Sequence, residues 1–140
     1  MRALAVTLAV LLVAAGCGGS DSPPVPRQDD REVIRGWLAA LNAGDYVAAA
    51  SYFAKGAVVE QRDEFRLRNR EEAEAFNRSL PCNAELTDVD DKGRTTLAAF
   101  RLRAGPGGPC HGTVKVRFTI EGGKVREWRQ LPQQGPGDVV

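Results

Sequence analysis

The sequence predicts an α+β domain in which three N-terminal helices pack on one face of a curved antiparallel sheet. Apolar residues recur at helical spacing in the first half of the folded region and alternate with polar residues in the second half. Capping residues and Gly or Pro breaks separate the segments. Because helices precede most of the strands, the pattern favours one sheet with a helix-covered face and a more polar outer face.

The first two helices are indicated by caps and by one apolar stripe. The first is expected to begin at Asp29 or Asp30, whose carboxylate can accept backbone N–H bonds, and to end before Gly44. Asp45 is expected to cap a second helix over residues 46–54. The apolar stripe of the first helix consists of Val33, Ile34, Trp37, Leu38 and Leu41.

The next segment predicts a strand pair and a third helix. Residues 57–61 and 65–68 are short apolar stretches that favour strands. Asn69 and Glu72 stand three residues apart, which is the spacing of a capping box. The helix that they open is expected to stop at Pro81, since proline cannot continue a helix.

After Cys82 the apolar period changes from helical spacing to alternation, which predicts a four-stranded antiparallel meander. The expected strands cover residues 84–90, 94–103, 112–121 and 124–131. The last two are separated by Gly122-Gly123, a strong hairpin signal.

The N-terminus predicts export and a lipid anchor. Met1-Arg2, an apolar run over residues 3–15 and Gly16 precede Cys17, so residues 1–16 read as a signal peptide. The run is too short to span a bilayer, which takes about 20 residues. In a bacterial exported protein such a cysteine carries lipid (a palmitate chain), which predicts the outer face of the cell membrane. Because Ala14 stands where Leu is commoner in such signals, a simply cleaved, secreted form is the alternative.

Composition and charge indicate the domain boundaries and limit the classes of partner. Residues 17–28, rich in Gly, Ser and Pro, predict a disordered tether behind Cys17, residues 29–132 one folded domain, and residues 133–140 a loose tail. The full chain is formally +1, so nothing in its charge favours nucleic acid. Arg is far commoner than Lys, which indicates a GC-rich, actinobacterial source.

The two remaining cysteines predict a disulfide. Cys82 and Cys110 form an even pair in an exported chain, where oxidation is expected. Metal binding is the weaker alternative, because two cysteines and His111 are too few ligands and match no zinc spacing. We predict no metal and no cofactor.

Several short motifs resemble the nuclear transport factor 2-like fold, also called SnoaL-like, over residues 29–132. They are Trp-Leu-Ala-Ala-Leu-Asn-Ala-Gly-Asp at 37–45, Tyr-Phe-Ala-Lys-Gly-Ala-Val-Val at 52–59, Asn-Arg-Glu-Glu-Ala at 69–73 and Gly-Lys-Val-Arg-Glu-Trp at 123–128. The resemblance implies a cone with a cavity between the curved sheet and the long helix. The family includes ketosteroid isomerases, polyketide cyclases, dehydratases and many domains with no known activity, so the fold does not give the function.

The family's isomerase residues are replaced in this chain. The position of the family's carboxylate base is occupied by Gln61, which cannot accept a proton at neutral pH. The position of its oxyanion tyrosine is occupied by Trp37. Isomerase chemistry of that kind is therefore not expected. The residues predicted to line a pocket are Trp37, Tyr46, Tyr52 and Gln61.

Two weak catalytic candidates remain. A pair formed by His111 and Asp88 would serve general acid–base chemistry if both pointed into one pocket. Each has a simpler interpretation: His111 begins a strand at the rim of the sheet, and Asp88 lies on the solvent side of an alternating strand.

Trp128 and Arg117 are the candidates for an interaction surface. Strict alternation places Trp128 on the polar face of the sheet, where it would contact a partner, whereas a β-bulge would bury it. The same face carries Arg117 and other cations, whose repulsion across a two-fold axis favours a monomer or weak homodimer.

The sequence therefore predicts a membrane-anchored extracytoplasmic lipoprotein with a non-catalytic domain that binds a small apolar ligand or a protein. The alternative is a SnoaL-like isomerase, cyclase or dehydratase with a non-standard polar pocket.

Overall fold

The computed structural model describes residues 29–133, so the predicted signal peptide, Cys17, the tether and residues 134–140 lie outside the described residues. Within them the predicted order of three helices and six strands is confirmed. The elements are α1 (Asp30–Asn42), α2 (Tyr46–Ser51), β1 (Phe53–Glu60), β2 (Glu64–Leu67), α3 (Arg70–Ser79), β3 (Asn83–Asp91), β4 (Thr96–Arg103), β5 (Thr113–Glu121) and β6 (Lys124–Gln130). Within residues 29–133, no helix has the length and apolar content needed to cross a bilayer.

The junction between α1 and α2 follows the predicted caps. Asp29 accepts a hydrogen bond from the Arg31 N–H at the start of α1. Gly44 has a φ of +71°, the left-handed conformation that commonly ends a helix. Glycine adopts this conformation without strain because it has no Cβ. Asp45 then accepts from the Ala48 N–H at 3.0 Å and starts α2. The apolar stripe of α1 is buried, as predicted.

The second helix is shorter than predicted, because the chain turns into β1 at Phe53. The prediction that residues 46–54 are helical is wrong after Ser51. Gly56 does not end a helix; it lies inside β1 with a φ of +80°, where the pairing of β1 with β6 shifts register. A glycine that admits positive φ marks a bulge, and here it allows β1 to begin earlier.

The predicted cap of α3 is confirmed in part. The Asn69 side chain accepts from the Glu72 N–H at 2.9 Å. The Glu72 carboxylate, however, accepts from the Arg68 N–H at 2.7 Å, one residue before the position that a capping box uses. The Arg68 guanidinium also donates to this carboxylate and lowers the pKa of Glu72, first through the side-chain hydrogen bond.

The six strands form one sheet in the order β2-β1-β6-β5-β4-β3. The meander from β3 to β6 is antiparallel, as predicted, and β1 pairs with β6 in parallel while β2 pairs antiparallel with β1. The inner face packs against α1 through buried residues that include Phe100, Val116 and Phe118. This packing of α1 over the curved sheet produces the cone.

Trp37 stands at the centre of the core. Its ring meets Phe53, Phe100, Phe118 and Trp128 edge-on, with centroid distances of 6.3, 6.1, 5.8 and 6.4 Å. Such geometry is favoured between aromatic rings. Aromatic side chains therefore occupy the middle of the cone, which limits the space left for a ligand.

The disulfide between Cys82 and Cys110 is present and closes a separation of 28 residues. It fastens the loop that joins β4 to β5 against the α3–β3 connection. In the same place, the Gly107 N–H donates to the Pro81 carbonyl at 2.9 Å. A Cβ on Gly105 would lie 2.5 Å from the Asn83 backbone nitrogen, so the loop approaches this connection closely because of its glycines.

Candidate functional site

A cavity of about 130 Å³, the cone cavity, lies between the C-terminal half of α1 and the inner face of the sheet. Its wall includes side chains from α1, the α3–β3 connection and the ends of β3 to β6. Most are apolar, and the structure places Trp37, Leu41, Leu80, Phe100, Val116 and Trp128 among them. Cys82 also belongs to the wall, so the disulfide holds one side of the cavity in place.

Two side-chain amides are the polar groups of the wall apart from the indoles. Gln61 follows the end of β1, and Gln130 ends β6; Gln61 Nε2 donates to Gln130 Oε1 at 3.2 Å. None of the side chains in the wall, all of which lie within residues 29–133, is an acid, a base or a hydroxyl. The cavity can exclude water from an apolar group and donate a hydrogen bond, but its own side chains do not transfer protons at neutral pH.

Trp37 belongs to the wall, as predicted, but its N–H is already occupied. Trp37 Nε1 donates to Asn77 Oδ1 at 2.7 Å, and Asn77 Nδ2 donates to the Ala73 carbonyl at 2.8 Å. Trp37 is 3% exposed and Asn77 is fully buried. The indole therefore links α1 to α3 and is not available as an oxyanion donor.

Tyr46 and Tyr52 do not line the cone cavity, which corrects the prediction that they do. Tyr46 is half-buried, with the Arg78 guanidinium 5.3 Å from its ring centroid. The Tyr52 hydroxyl lies against Gly36 of α1, so closely that a Cβ on Gly36 would be 2.3 Å from it. Tyr46, at the start of α2, thus contacts α3, and Tyr52, directly after α2, contacts α1, so both tyrosines connect helices.

A second concavity, the β2–α3 groove, has a volume of about 340 Å³ and adjoins the cone cavity through Gln61, which contributes to both walls. Phe65, Leu67 and Phe76 supply its apolar surface, while Arg68 and Glu72 supply charge that is largely paired. Phe65 is 62% exposed and is one of two large exposed apolar residues in the described chain. The predicted pocket residue Gln61 thus stands where the two spaces meet.

The structure does not bring His111 and Asp88 into one pocket. His111 is exposed in the segment before β5, and Asp88 is exposed on the outer face of β3, opposite Ala99. Neither contributes to the cone cavity. Because acid–base catalysis needs both groups within reach of one substrate, the predicted pair is corrected to two separate surface residues.

Trp128 and Arg117 do not share a surface. Trp128 is 3% exposed and faces the core, because the pairing of β5 with β6 shifts register between Thr119 and Ile120. The bulge places an extra residue in β6 after Val125 and so buries both Val125 and Trp128. Arg117 is exposed on the outer face, directly opposite Arg129. The interpretation of Trp128 as a surface contact is wrong.

The outer face of β6 carries an ion-pair cluster centred on Arg129. Its guanidinium donates to Glu64 at 2.8 Å and also contacts Glu60 and Glu127. These hydrogen bonds raise the pKa of Arg129, with Glu64 as the largest contributor. The cluster joins β1, β2 and β6, which is a structural role. Between Asp29 and Gln133, no group of three or more His, Cys, Asp and Glu residues is arranged to hold a metal ion.

Sequence reasoning missed Asn77 and Gln130. Asn77 lies four residues after Ala73 and three before Leu80, both of which are buried, so helical spacing places it on the buried face of α3. Nothing in the sequence, however, indicates its partner, which is 40 residues away. Gln130 lies in a strand end, and its pairing with Gln61 depends on the parallel contact between β1 and β6.

Comparison with known proteins agrees with this architecture. Solved structures that resemble the chain include an NTF2-like protein of unknown function from Cytophaga hutchinsonii, with 11% identity, a TM-score of 0.60 and coverage of 72% of this chain and 87% of the other. A candidate ketosteroid isomerase from Kribbella flavida has 17% identity, a TM-score of 0.59 and coverage of 79% and 86%. A candidate polyketide cyclase from Sinorhizobium meliloti has 21% identity, a TM-score of 0.57 and coverage of 71% and 94%.

At these identities the structural likenesses establish the fold alone. Among curated proteins, none matches this sequence. The SnoaL-like domain family, in contrast, matches residues 34–128, a span that runs from α1 to Trp128 and contains most of the cone. With the predicted resemblance thus confirmed, the chain belongs to the SnoaL-like domain family.

Proposed function

We propose that this chain is a membrane-anchored extracytoplasmic lipoprotein whose SnoaL-like domain binds a small apolar ligand and does not catalyse a reaction. The observation that carries the proposal is the wall of the cone cavity, which is apolar except for the indoles and for two amides that already bond to each other. Ligand sites in proteins have this composition, with a few polar groups that fix orientation.

The size of the cavity limits the ligand. At about 130 Å³ it is smaller than the roughly 300–1,000 Å³ of drug-sized pockets. An engineered apolar cavity of about 150 Å³ in another protein binds benzene or xenon, so a space of this volume admits a small ring. A molecule with about one six-membered ring is therefore the expected size.

The wall favours binding over catalysis. Proton transfer requires an acid or base within about 2.6–3.2 Å of the reacting atom. The resemblance puts Gln61, a wall residue, in the position of the family's base, and the Trp37 N–H is committed to Asn77. A neutral ligand is favoured for the same reason, since the wall offers no charged partner to offset the desolvation of an ion.

The anchor is supported by the sequence before Asp29. Residues 1–16 have the charge, length and small terminal residues of an export signal, and Cys17 follows at the point where lipid is attached. The Cys82–Cys110 disulfide is in keeping with an oxidising compartment outside the cytoplasm. Each buried methylene of a lipid contributes about 0.8 kcal/mol of membrane affinity, and more than one acyl chain makes the attachment stable.

Ligand binding is tested with the chain from Gly18 to Val140, which retains every core residue described here. Benzene at ten times its dissociation constant is expected to stabilise the protein by about 1.4 kcal/mol, seen as a rise in Tm of several degrees. Ala84→Leu extends a wall residue into the cavity and is expected to abolish the rise. Ala39→Leu, on the exposed side of α1, is the matched control and keeps it. If the wild type shows no rise, or if both variants respond alike, the cone cavity is not the binding site.

The anchor is tested in cells that express the full chain. The wild type is expected to partition into a detergent phase, with a mass that exceeds the cleaved polypeptide by that of its acyl groups. Cys17→Ser is expected to appear in the aqueous phase. A wild-type chain that keeps Met1, or that lacks acyl mass, contradicts the anchor while leaving the cavity test unaffected.

A further inference from the structure

The cone cavity and the β2–α3 groove are neighbouring spaces with a thin partition between them. Gln61 contributes to both walls. Phe76 of the groove packs edge-on against Trp128 of the cone cavity, with 5.1 Å between ring centroids. Val59, another groove residue, is the register partner of Trp128 where β1 pairs with β6. One layer of side chains therefore separates the two spaces.

The polar part of this partition is held by one exposed hydrogen bond. Gln61 Nε2 donates to Gln130 Oε1 at 3.2 Å. Gln61 is exposed and Gln130 is half-buried, so water can take the place of either partner. Such an exchange replaces one hydrogen bond by others, and it costs far less than leaving a buried polar group unpaired. The two amides can therefore part at a small cost in free energy.

The groove offers apolar surface that remains exposed in the described part of the chain. Phe65 is 62% exposed, Phe76 is half-buried, and both belong to the groove wall. The charged side chains of this wall carry no net charge, which favours a neutral hydrocarbon over an ion. They are Asp63, Arg66, Arg68 and Glu72. At about 340 Å³, against about 130 Å³ for the cone cavity, the groove is the larger of the two spaces.

We infer that the ligand is an elongated neutral molecule, with a ring in the cone cavity and an unbranched hydrocarbon chain that passes between Gln61 and Gln130 into the β2–α3 groove. This inference rests on the proposed function and adds the chemical class of the ligand. The chain lies against Phe65 and Phe76 and removes their exposed apolar surface from water. It is unbranched because only two amide side chains move aside to admit it.

Three alkylbenzenes test this inference by isothermal titration calorimetry on residues 18–140. The probes are benzene, n-butylbenzene and tert-butylbenzene; the last two are isomers that differ in branching. Each methylene that leaves water raises the affinity about fourfold. We expect n-butylbenzene to bind at least about tenfold more tightly than benzene, because two buried methylenes suffice for that gain. We expect tert-butylbenzene to bind no more tightly than benzene.

Three variants locate the ring and the chain. Ala75→Leu extends a wall residue into the groove and is expected to remove the gain from the butyl chain, while benzene binding is unchanged. Ala84→Leu, in the cone cavity, is expected to abolish the binding of both probes. Ala39→Leu, on the exposed side of α1, is the matched control and leaves both affinities unchanged. Nuclear Overhauser contacts between the terminal methyl group of n-butylbenzene and the Phe65 ring provide a readout that needs no variant.

The outcomes separate the two proposals. If benzene binds but n-butylbenzene binds no more tightly than benzene or tert-butylbenzene, or if Ala75→Leu keeps the gain, this inference is overturned and the proposed function stands. If the domain sediments as a dimer that Ala75→Leu dissociates, a second copy occupies the groove and the inference is again overturned. If none of the probes binds, the proposed function is overturned, and the inference with it.

Discussion

The hydrogen bond between Trp37 and Asn77 is predicted to be a major determinant of stability, and Asn77→Leu tests it. Leu has a similar size but accepts no hydrogen bond, so the substitution leaves the Trp37 N–H unpaired among apolar side chains. The bond is 2.7 Å long, and both residues are nine-tenths or more buried. An orphaned buried donor costs about 1–3 kcal/mol. We expect a loss of about 2 kcal/mol.

A double-mutant cycle with Trp37→Phe isolates the bond from the packing. Trp37→Phe removes the donor and shortens the ring that contacts four other aromatic residues, so it is destabilising by itself. Once the donor is gone, Asn77→Leu no longer leaves an unpaired N–H, and its cost is expected to fall by about 1–2 kcal/mol.

The assay is urea unfolding of residues 18–140 with the disulfide intact, monitored by far-UV circular dichroism. Tryptophan fluorescence is unsuitable because Trp37→Phe removes one of the two tryptophans. The reasoning is refuted if Asn77→Leu costs the same in both backgrounds within about 0.5 kcal/mol, the limit of simple additivity.

Three further predictions follow from local geometry. Gly36→Ala is expected to destabilise the fold by about 1–3 kcal/mol, because the new Cβ would lie 2.3 Å from the Tyr52 hydroxyl. In a Tyr52→Ala background the same substitution is expected to stabilise α1. If Gly36→Ala lowers the free energy of unfolding by urea in both backgrounds, this explanation is contradicted. Reduction of the Cys82–Cys110 disulfide is expected to cost about 3.5 kcal/mol from the entropy of a loop of this length, and a Cys-to-Ala double variant to be insensitive to reductant in the same assay. The lowered pKa of Glu72, held by Arg68, stabilises the fold at pH values above the usual 4.5, and that stability is lost as pH falls through the lower folded pKa. Stability measured between pH 6 and 3 is therefore expected to fall less steeply in Glu72→Gln or Arg68→Gln than in the wild type, and parallel curves would count against the ion pair.

Local patterns predicted most of the elements, because helix caps and apolar spacing act over a few residues. Asp29, Asp45 and Asn69 cap the three helices as their positions indicated. The boundary after α2 was not predictable in this way: Gly56 suits a helix end and a strand bulge equally well, and pairing with β6 decides between them.

The candidate site depends on contacts that are distant in sequence. Alternation along β6 leaves the face of Trp128 undecided until the bulge against β5 is known. The sequence predicts Tyr46 and Tyr52 as pocket residues. In the structure the Tyr52 hydroxyl lies against Gly36 of α1, a contact that the sequence does not indicate. The volume of the cone cavity depends on how the Trp37 ring packs with its four aromatic neighbours between α1 and the sheet. The sequence does not indicate this packing, because the rings come from distant parts of the chain.

The central claim is that the cone cavity admits a small apolar molecule. Crystals of residues 18–140 pressurised with xenon test it most directly, because xenon enters dry apolar cavities and is visible in diffraction. We expect a xenon peak bounded by Trp37, Leu80 and Trp128 in the wild type, and no peak there in Ala84→Leu. A wild-type crystal without xenon at this position, or with xenon in the β2–α3 groove alone, would contradict the claim.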